Sequence, residues 1–471
     1  MPIIIVLIAL AAAGWLGFMA ASGAQYALIM MVGALLAGAI AFFRPKLSLA
    51  LLVFSMLLSP ELGFGSVGGA RTLVLRYDDA LLVIIFLSWF ARTAILKEKP
   101  FITSTPAQTP VLLYTSLCVV STAYGVIRGD IDAQRSFFYV LKYVEYFLLY
   151  FMTVNIVESK EDVRKYLRYG FIVAVLVTFY AYYYYYSSGP DARASAPFEA
   201  PIGNPKDSEP ASLGGYYLLV FGFLMALVTE AGGYLFLLAA GLLIFIFPAF
   251  LLTFSRASYI GLAVMVPALL FFTKKRRLMF LGFISAGMIA VAMTPGISHK
   301  VVDRITMTYS GAYATQSFQA GAAGQVRLEE SAAARVYSIK RVIFEQLPQH
   351  PIIGWGVTGV GLGDTQYALV LGELGLAGAV LFVWMLYRLF YTAKAVFAAY
   401  TDPLIRALSL GFMLSLIGLI FQSLGVNTFI IVRIMEPFWF IAALVTALYR
   451  GIGEKERPAG AAPGQWQRPM E

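Results

Sequence analysis

Long apolar runs recur along almost the whole chain, from residue 2 to residue 449. That repetition limits the fold more than any other feature. A helix that crosses a bilayer needs about 20 predominantly apolar residues. Inside the bilayer every backbone N–H and C=O must be satisfied by the protein itself, so only helices and closed barrels can span it. Barrel strands alternate apolar with polar positions, whereas these runs are continuous. Only 13% of the residues are charged, against about a quarter in a soluble domain. The chain is therefore expected to be an all-α polytopic integral membrane protein.

Fourteen candidate spans follow, at 2–20, 25–43, 47–59, 79–95, 110–126, 136–156, 166–186, 212–229, 234–253, 257–273, 278–295, 365–387, 404–422 and 434–449. The third is short and ends at Pro60, so the expected number of transmembrane helices is about 12–14. With the N-terminus in the cytoplasm and the spans alternating, the short basic loops all fall on the cytoplasmic side, as the positive-inside rule requires. They carry Arg44 and Lys46, Arg92, Lys97 and Lys99, the Lys160–Arg168 group, the 274–277 run, and Arg388, Lys394 and Arg406. The layout is eleven helices within 1–295, one large extracytoplasmic loop at 296–364, three helices within 365–450, and a tail at 451–471. The tail is rich in Pro, Gly and Ala and is expected to be disordered on the cytoplasmic side. Residues 1–23 lack the basic n-region of a signal peptide and read as a retained first helix.

Several chemistries are disfavoured. The single cysteine, Cys118, lies in an apolar run, so no disulfide forms within the chain. The two histidines, His299 and His350, have no partner at metal-ligand spacing. The glycines between 354 and 363 lack the Gly-Lys-Ser/Thr ending of a phosphate-binding loop. Most of the net charge of +9 is orientation signal in cytoplasmic loops, so no nucleic-acid partner is expected.

Basic residues on the outer side are the exceptions. Arg256 sits in Leu252-Thr-Phe-Ser-Arg-Ala with almost no loop around it. An arginine at that depth is paired, snorkelled to headgroups or functional. Residues 335–347 space Val336, Ile339, Val342, Ile343 and Leu347 helically, with Arg335, Lys340, Arg341 and Glu345 opposite. Such a helix lies along the membrane–water boundary, where its basic face is either solvated or an anion site. Asp364 stands where the loop meets the next helix, as an N-cap or as a general base. Asp78 and Asp79 take the same capping reading, and Lys142 and Glu145 can pair along one helix.

Three stretches are similar to elements of the O-antigen ligase / Wzy-type polymerase superfamily of membrane glycosyltransferases. They are Leu252-Thr-Phe-Ser-Arg256-Ala, the stretch from Arg335 to Pro351-Ile-Ile-Gly-Trp-Gly356, and Asp364-Thr-Gln-Tyr367 with Glu373-Leu-Gly375 and Gly378. Arg193 with Gly203-Asn204-Pro205 is a weaker fourth match. The resemblance implies glycan transfer from an undecaprenyl-diphosphate carrier to an acceptor glycan hydroxyl, at the periplasmic side of a bacterial cytoplasmic membrane, with no metal or other cofactor. It implies a chain-length regulator or export proteins as further partners. On it, Arg256, Arg335 and Asp364 are catalytic, and Arg193, Lys340, Arg341 and Tyr367 bind substrate. Ligases of the family usually show His-Asn where this chain has Asp364-Thr365, which favours a polymerase over a ligase. A transporter for lipid-linked sugars is the alternative of a different class. It is disfavoured because the charges cluster at the outer ends of the spans and no internal repeat is evident.

Overall fold

The computed structural model describes residues 25–64, 73–96, 103–189, 192–199, 208–292, 295–308, 316–319, 325–361 and 365–455. The expected first span at 2–20 lies outside the described residues, as does the tail from 456 onward. Among the described residues the chain is an all-α polytopic membrane protein. Nine helices are long and apolar enough to cross a bilayer, and shorter apolar helices accompany them.

In chain order these are α1 (Gln25–Phe43), α2 (Pro45–Leu58), α3 (Tyr77–Leu96), α4 (Gln108–Arg128), α5 (Ala133–Ile156), α6 (Lys160–Ser187), α7 (Pro210–Glu230), α8 (Gly233–Leu251), α9 (Arg256–Phe272) and α10 (Arg277–Ala292). The loop region carries α11 (Pro295–Thr306) and α12 (Glu330–Arg341), which runs into one π-turn at Val342–Gln346. Then come α13 (Gln366–Ala399), α14 (Pro403–Gln422) and α15 (Val432–Lys455). Two short antiparallel hairpins lie between helices, pairing Glu61–Phe64 with Leu73–Arg76 and Gln316–Gln319 with Gln325–Leu328.

Several boundaries differ from expectation: the span expected at 365–387 runs on to Ala399, and the one expected at 166–186 starts at Lys160. The amphipathic helix starts at Glu330 rather than Arg335, because an acidic residue suits the first turn and Glu329 holds extended backbone just before it. Ile339, Ile343 and Phe344 on its apolar side stay exposed, as expected of an interfacial helix. The last span runs past its predicted end to Lys455.

α7 is apolar on all sides, and 89% of its spanning window is buried. A helix of that kind belongs at the centre of a bundle. Lipid tails are as apolar as leucine, so close backbone approach between small residues drives the packing. A Cβ added at Gly222 of α7 would lie 2.5 Å from the Gly411 carbonyl of α14, and one at Gly411 would lie 2.6 Å from the Phe223 Cα. Ser415 donates to the Leu218 and Leu219 carbonyls beside that crossing.

Ion pairs tie both ends of the bundle. At the end expected to face the cytoplasm, the buried Glu230 carboxylate meets Lys275 at 2.8 Å and Arg406 at 2.7 Å. Arg164 of α6 meets Asp402 at 2.5 Å, and Asp402 also caps α14. At the opposite end Lys142 bonds Glu145, as the spacing suggests, and also Asp79 at 2.5 Å. Arg76 meets Asp78 at 2.7 Å.

Replacing Gly411 by leucine is expected to overpack the α7–α14 crossing by about 1–3 kcal/mol. The thermal midpoint in detergent should fall by several degrees. Gly241→Leu, where a Cβ meets nothing within 4 Å, should leave it unchanged.

Candidate functional site

The site is built where a short turn and three loop segments meet at the expected outer end of the bundle. The α8–α9 connection is only Leu252-Thr-Phe-Ser255. It reverses the chain by placing Phe254 in the left-handed region, at φ 48°. Few residues other than glycine adopt that conformation, and here it is held from outside. Arg193 donates from Nε to the Thr253 carbonyl at 2.9 Å and from Nη2 to the Phe254 carbonyl at 3.0 Å. The Ala194 N–H adds a bond to the Leu252 carbonyl at 2.8 Å.

That turn sets Arg256 as the first residue of α9. Its Nη1 donates to Thr308 Oγ1 at 2.5 Å and to the Glu329 carboxylate. The Glu329 N–H bonds the Thr308 carbonyl at 3.1 Å. Arg256 thus clasps the loop region where it leaves and where it returns. Arg335 projects from α12 and donates from Nε to the Gly425 carbonyl at 2.9 Å. The Ala257 Cβ and the Arg335 guanidinium both lie within 4 Å of one point above Gly425. Arg335 therefore meets the first turn of α9, next to Arg256.

A fourth arginine joins them. Burial, then the positive charges of Arg304 and Arg256, push the Arg193 guanidinium down to about 10. It remains charged at neutral pH. Arg304, near the end of α11, has its Nε buried without a hydrogen-bond partner. Arg193, Arg256 and Arg304 thus lie close enough to feel one another's charge, Arg335 reaches the first turn of α9, and Glu329 pairs with Arg256.

The other sequence-predicted residues separate. Lys340 and Arg341 stand exposed at the end of α12. At 100° per residue they turn away from the face that carries Arg335, so the structure does not bring them to the arginine group. Tyr367 spends its hydroxyl on the Ile420 carbonyl at 2.6 Å, tying α13 to α14. Asp364 lies outside the described residues, and the cap of α13 is Thr365, whose side chain accepts from the Ala368 N–H. His299 is exposed on α11. His350 packs against Trp355 and meets Arg128 at 2.7 Å; partial burial and then that positive charge lower its pKa.

The glycine-rich turn after Pro351 is a strap docked on α13. Gly356 N–H bonds the Glu373 carbonyl at 2.9 Å, and the Glu373 carboxylate accepts from the Thr358 N–H at 2.7 Å. Gly375 breaks the helix at φ 64°, where the Ile352 carbonyl leaves no room for a Cβ. Glu373 and Gly375 thus hold the strap that leads towards position 364. A separate buried triad, Asp78, Asp79 and Glu436, brings carboxylate atoms within 4.8 Å of one another. Arg76 and Lys142 pair with its two aspartates.

Residues 239–371 match the family described as O-antigen ligase. No curated protein matches the chain. The matched stretch includes Arg256, Arg304, Glu329, Arg335 and the strap, and leaves Arg193 outside. Arg304, Glu329 and Thr308 escaped the sequence reading. A lone acidic pair, Glu329-Glu330, in a basic loop was the one signal for them.

Glu329 stands where an anionic ligand of Arg256 would bind. Glu329→Gln is expected to raise the affinity of the purified protein for inorganic pyrophosphate several-fold by calorimetry. Unchanged affinity would show that Glu329 does not compete for that place.

Proposed function

We propose that this protein transfers a glycan from an undecaprenyl-diphosphate carrier to a hydroxyl of an acceptor glycan, at the outer face of the cytoplasmic membrane, and does so repeatedly as a polymerase. The observation that carries the reading is that Arg193, Arg256 and Arg304 lie close together, with Arg335 at the first turn of α9 and a buried donor of Arg304 unmet. Planar guanidinium forks suit the paired oxygens of a diphosphate. The family match supports glycan transfer as the reaction class.

In the reaction the acceptor oxygen bonds the anomeric carbon as the bond from that carbon to the diphosphate oxygen breaks. The electron pair leaves with the diphosphate, and the acceptor proton passes to a base. Negative charge therefore grows on the bridging oxygen, where preorganised cations lower the barrier most. Arg256 and Arg335 take that role, Arg193 holds the turn that aims Arg256, and Arg304 adds a further donor. Asp364, which follows the strap, is the proposed base. An acidic residue there, where ligases of the family carry His-Asn, favours the polymerase. Ligation to a different acceptor uses the same machinery and is the second reading. Transport is disfavoured because the charges cluster at the outer ends of the spans and no internal repeat is evident in the sequence.

Arg256→Ala and Arg335→Ala are each expected to lower polymer yield by about 10²–10³, the scale seen for lost charge-stabilising donors. Membrane levels of the protein should stay normal. Lysine at either position should restore little, because it cannot make a two-point contact. Full-length polymer from both alanine variants would remove the diphosphate role.

A further inference from the structure

Beside the arginines, the segment 192–199 is held more tightly than a surface loop requires. Arg193 and Ala194 bond the 252–254 backbone. Glu199 accepts from Ser195 Oγ at 2.5 Å, from the Ala196 N–H at 3.2 Å and from Ser212 Oγ of α7. Burial pushes the Glu199 carboxyl above its ordinary range. The segment ends in a β-turn, Ala196-Pro197-Phe198-Glu199, closed by the Glu199 N–H to the Ala196 carbonyl at 3.3 Å.

Phe198 is the unexpected residue. Its φ is 58°, and it follows proline at the turn position that type II turns give to glycine. A phenylalanine there strains the backbone, and such strain persists only where neighbouring contacts enforce it. A packing anchor would justify the strain by being buried. Phe198 instead leaves 48% of its surface exposed. Its ring leans on Tyr180, with centroids 6.2 Å apart, and Tyr180 stacks on the buried Tyr184 at 6.2 Å. The result is an open aromatic face with a rigid backing. Membrane-interface belts favour tyrosine and tryptophan on the spans themselves, whereas Phe198 stands in the loop beyond α6.

We propose that Phe198, backed by Tyr180, is the platform on which a sugar ring of the lipid-linked donor packs. This rests on the glycan-transfer reading above. A pyranose has an apolar C–H face, and the electron-rich face of an aromatic ring attracts such C–H groups while removing apolar area from water. The position fits. Phe198 is five residues from Arg193, roughly 17 Å at full stretch and less through the turn. The sugars joined to a diphosphate held by the arginines lie within that reach. Phe254, the other strained phenylalanine, is buried and faces Tyr185 at 6.5 Å, so it shapes the turn beneath and offers no open face.

The decisive variant is Phe198→Gly, because glycine suits the backbone. Its thermal midpoint should equal or exceed that of the natural protein. Its KM for the lipid-linked repeat unit, extracted from cells that make it, should rise about tenfold, while its affinity for inorganic pyrophosphate stays unchanged. Phe198→Trp should keep the natural KM. Saturation-transfer NMR with the free oligosaccharide, released from that lipid by mild acid, should show contact in the natural protein and lose it in Phe198→Gly. An unchanged KM and an undiminished NMR contact in Phe198→Gly would overturn the platform. If Arg256→Ala still abolishes turnover in that case, the glycan-transfer reading survives its loss. Full turnover by Arg256→Ala would instead sink the transfer reading, and the NMR arm would still decide the platform.

Discussion

Charge at the edge of a low-dielectric bundle must be neutralised by something close, and the architecture of this protein follows from how each cluster meets that demand. A charged group taken into a membrane span costs several kcal/mol unless a partner is supplied. At one end Glu230 draws Lys275 and Arg406 onto a single carboxylate. At the other, Arg76, Lys142, Asp78, Asp79 and Glu145 pair among themselves. These networks join helices that are distant in sequence. The arginine group brings several guanidinium groups together: Arg193 and Arg335 donate to backbone carbonyls, and Arg256 pairs with Glu329. Planar guanidinium forks of this kind suit the oxygens of an anion.

The same constraint explains why the turns around the group are stiff. Guanidinium forks recognise phosphate oxygens only if their directions are set in advance. Arg256 is aimed by a reversal so short that Phe254 must adopt left-handed backbone, and Arg193 supports that reversal from outside. On the loop side, the strap is fixed to α13 through Glu373 and Gly375.

Much of the fold was legible in the sequence because spans are local. Apolar length and the sidedness of lysine and arginine locate helices without reference to tertiary structure, and the described helices fall on the expected runs. Arg256 stood out for the same reason, as a charge between two spans with no loop to hold it. What depends on contacts between distant segments was not legible. Glu329 lies 73 positions from Arg256, and nothing in the local sequence marks it as the partner. Lys340 and Arg341 looked like companions of Arg335 because they are near in sequence, but helical geometry turns them elsewhere. The Glu373-Leu-Gly375 element resembled part of a family element that opens a helix, and its described contacts are those of a clamp for the strap. Phe198 carried no signal at all, since backbone strain is not written in composition.

The central claim is that the arginine group stabilises a departing diphosphate during glycan transfer. The most direct test uses purified protein in detergent with the lipid-linked repeat unit, following undecaprenyl diphosphate by phosphorus NMR and glycan length by gel. The account predicts one diphosphate released for each glycosidic bond formed, with products in a lengthening ladder. Both signals should disappear together in Arg256→Ala. Glycan growth without diphosphate release, or release that Arg256→Ala leaves intact, would contradict it.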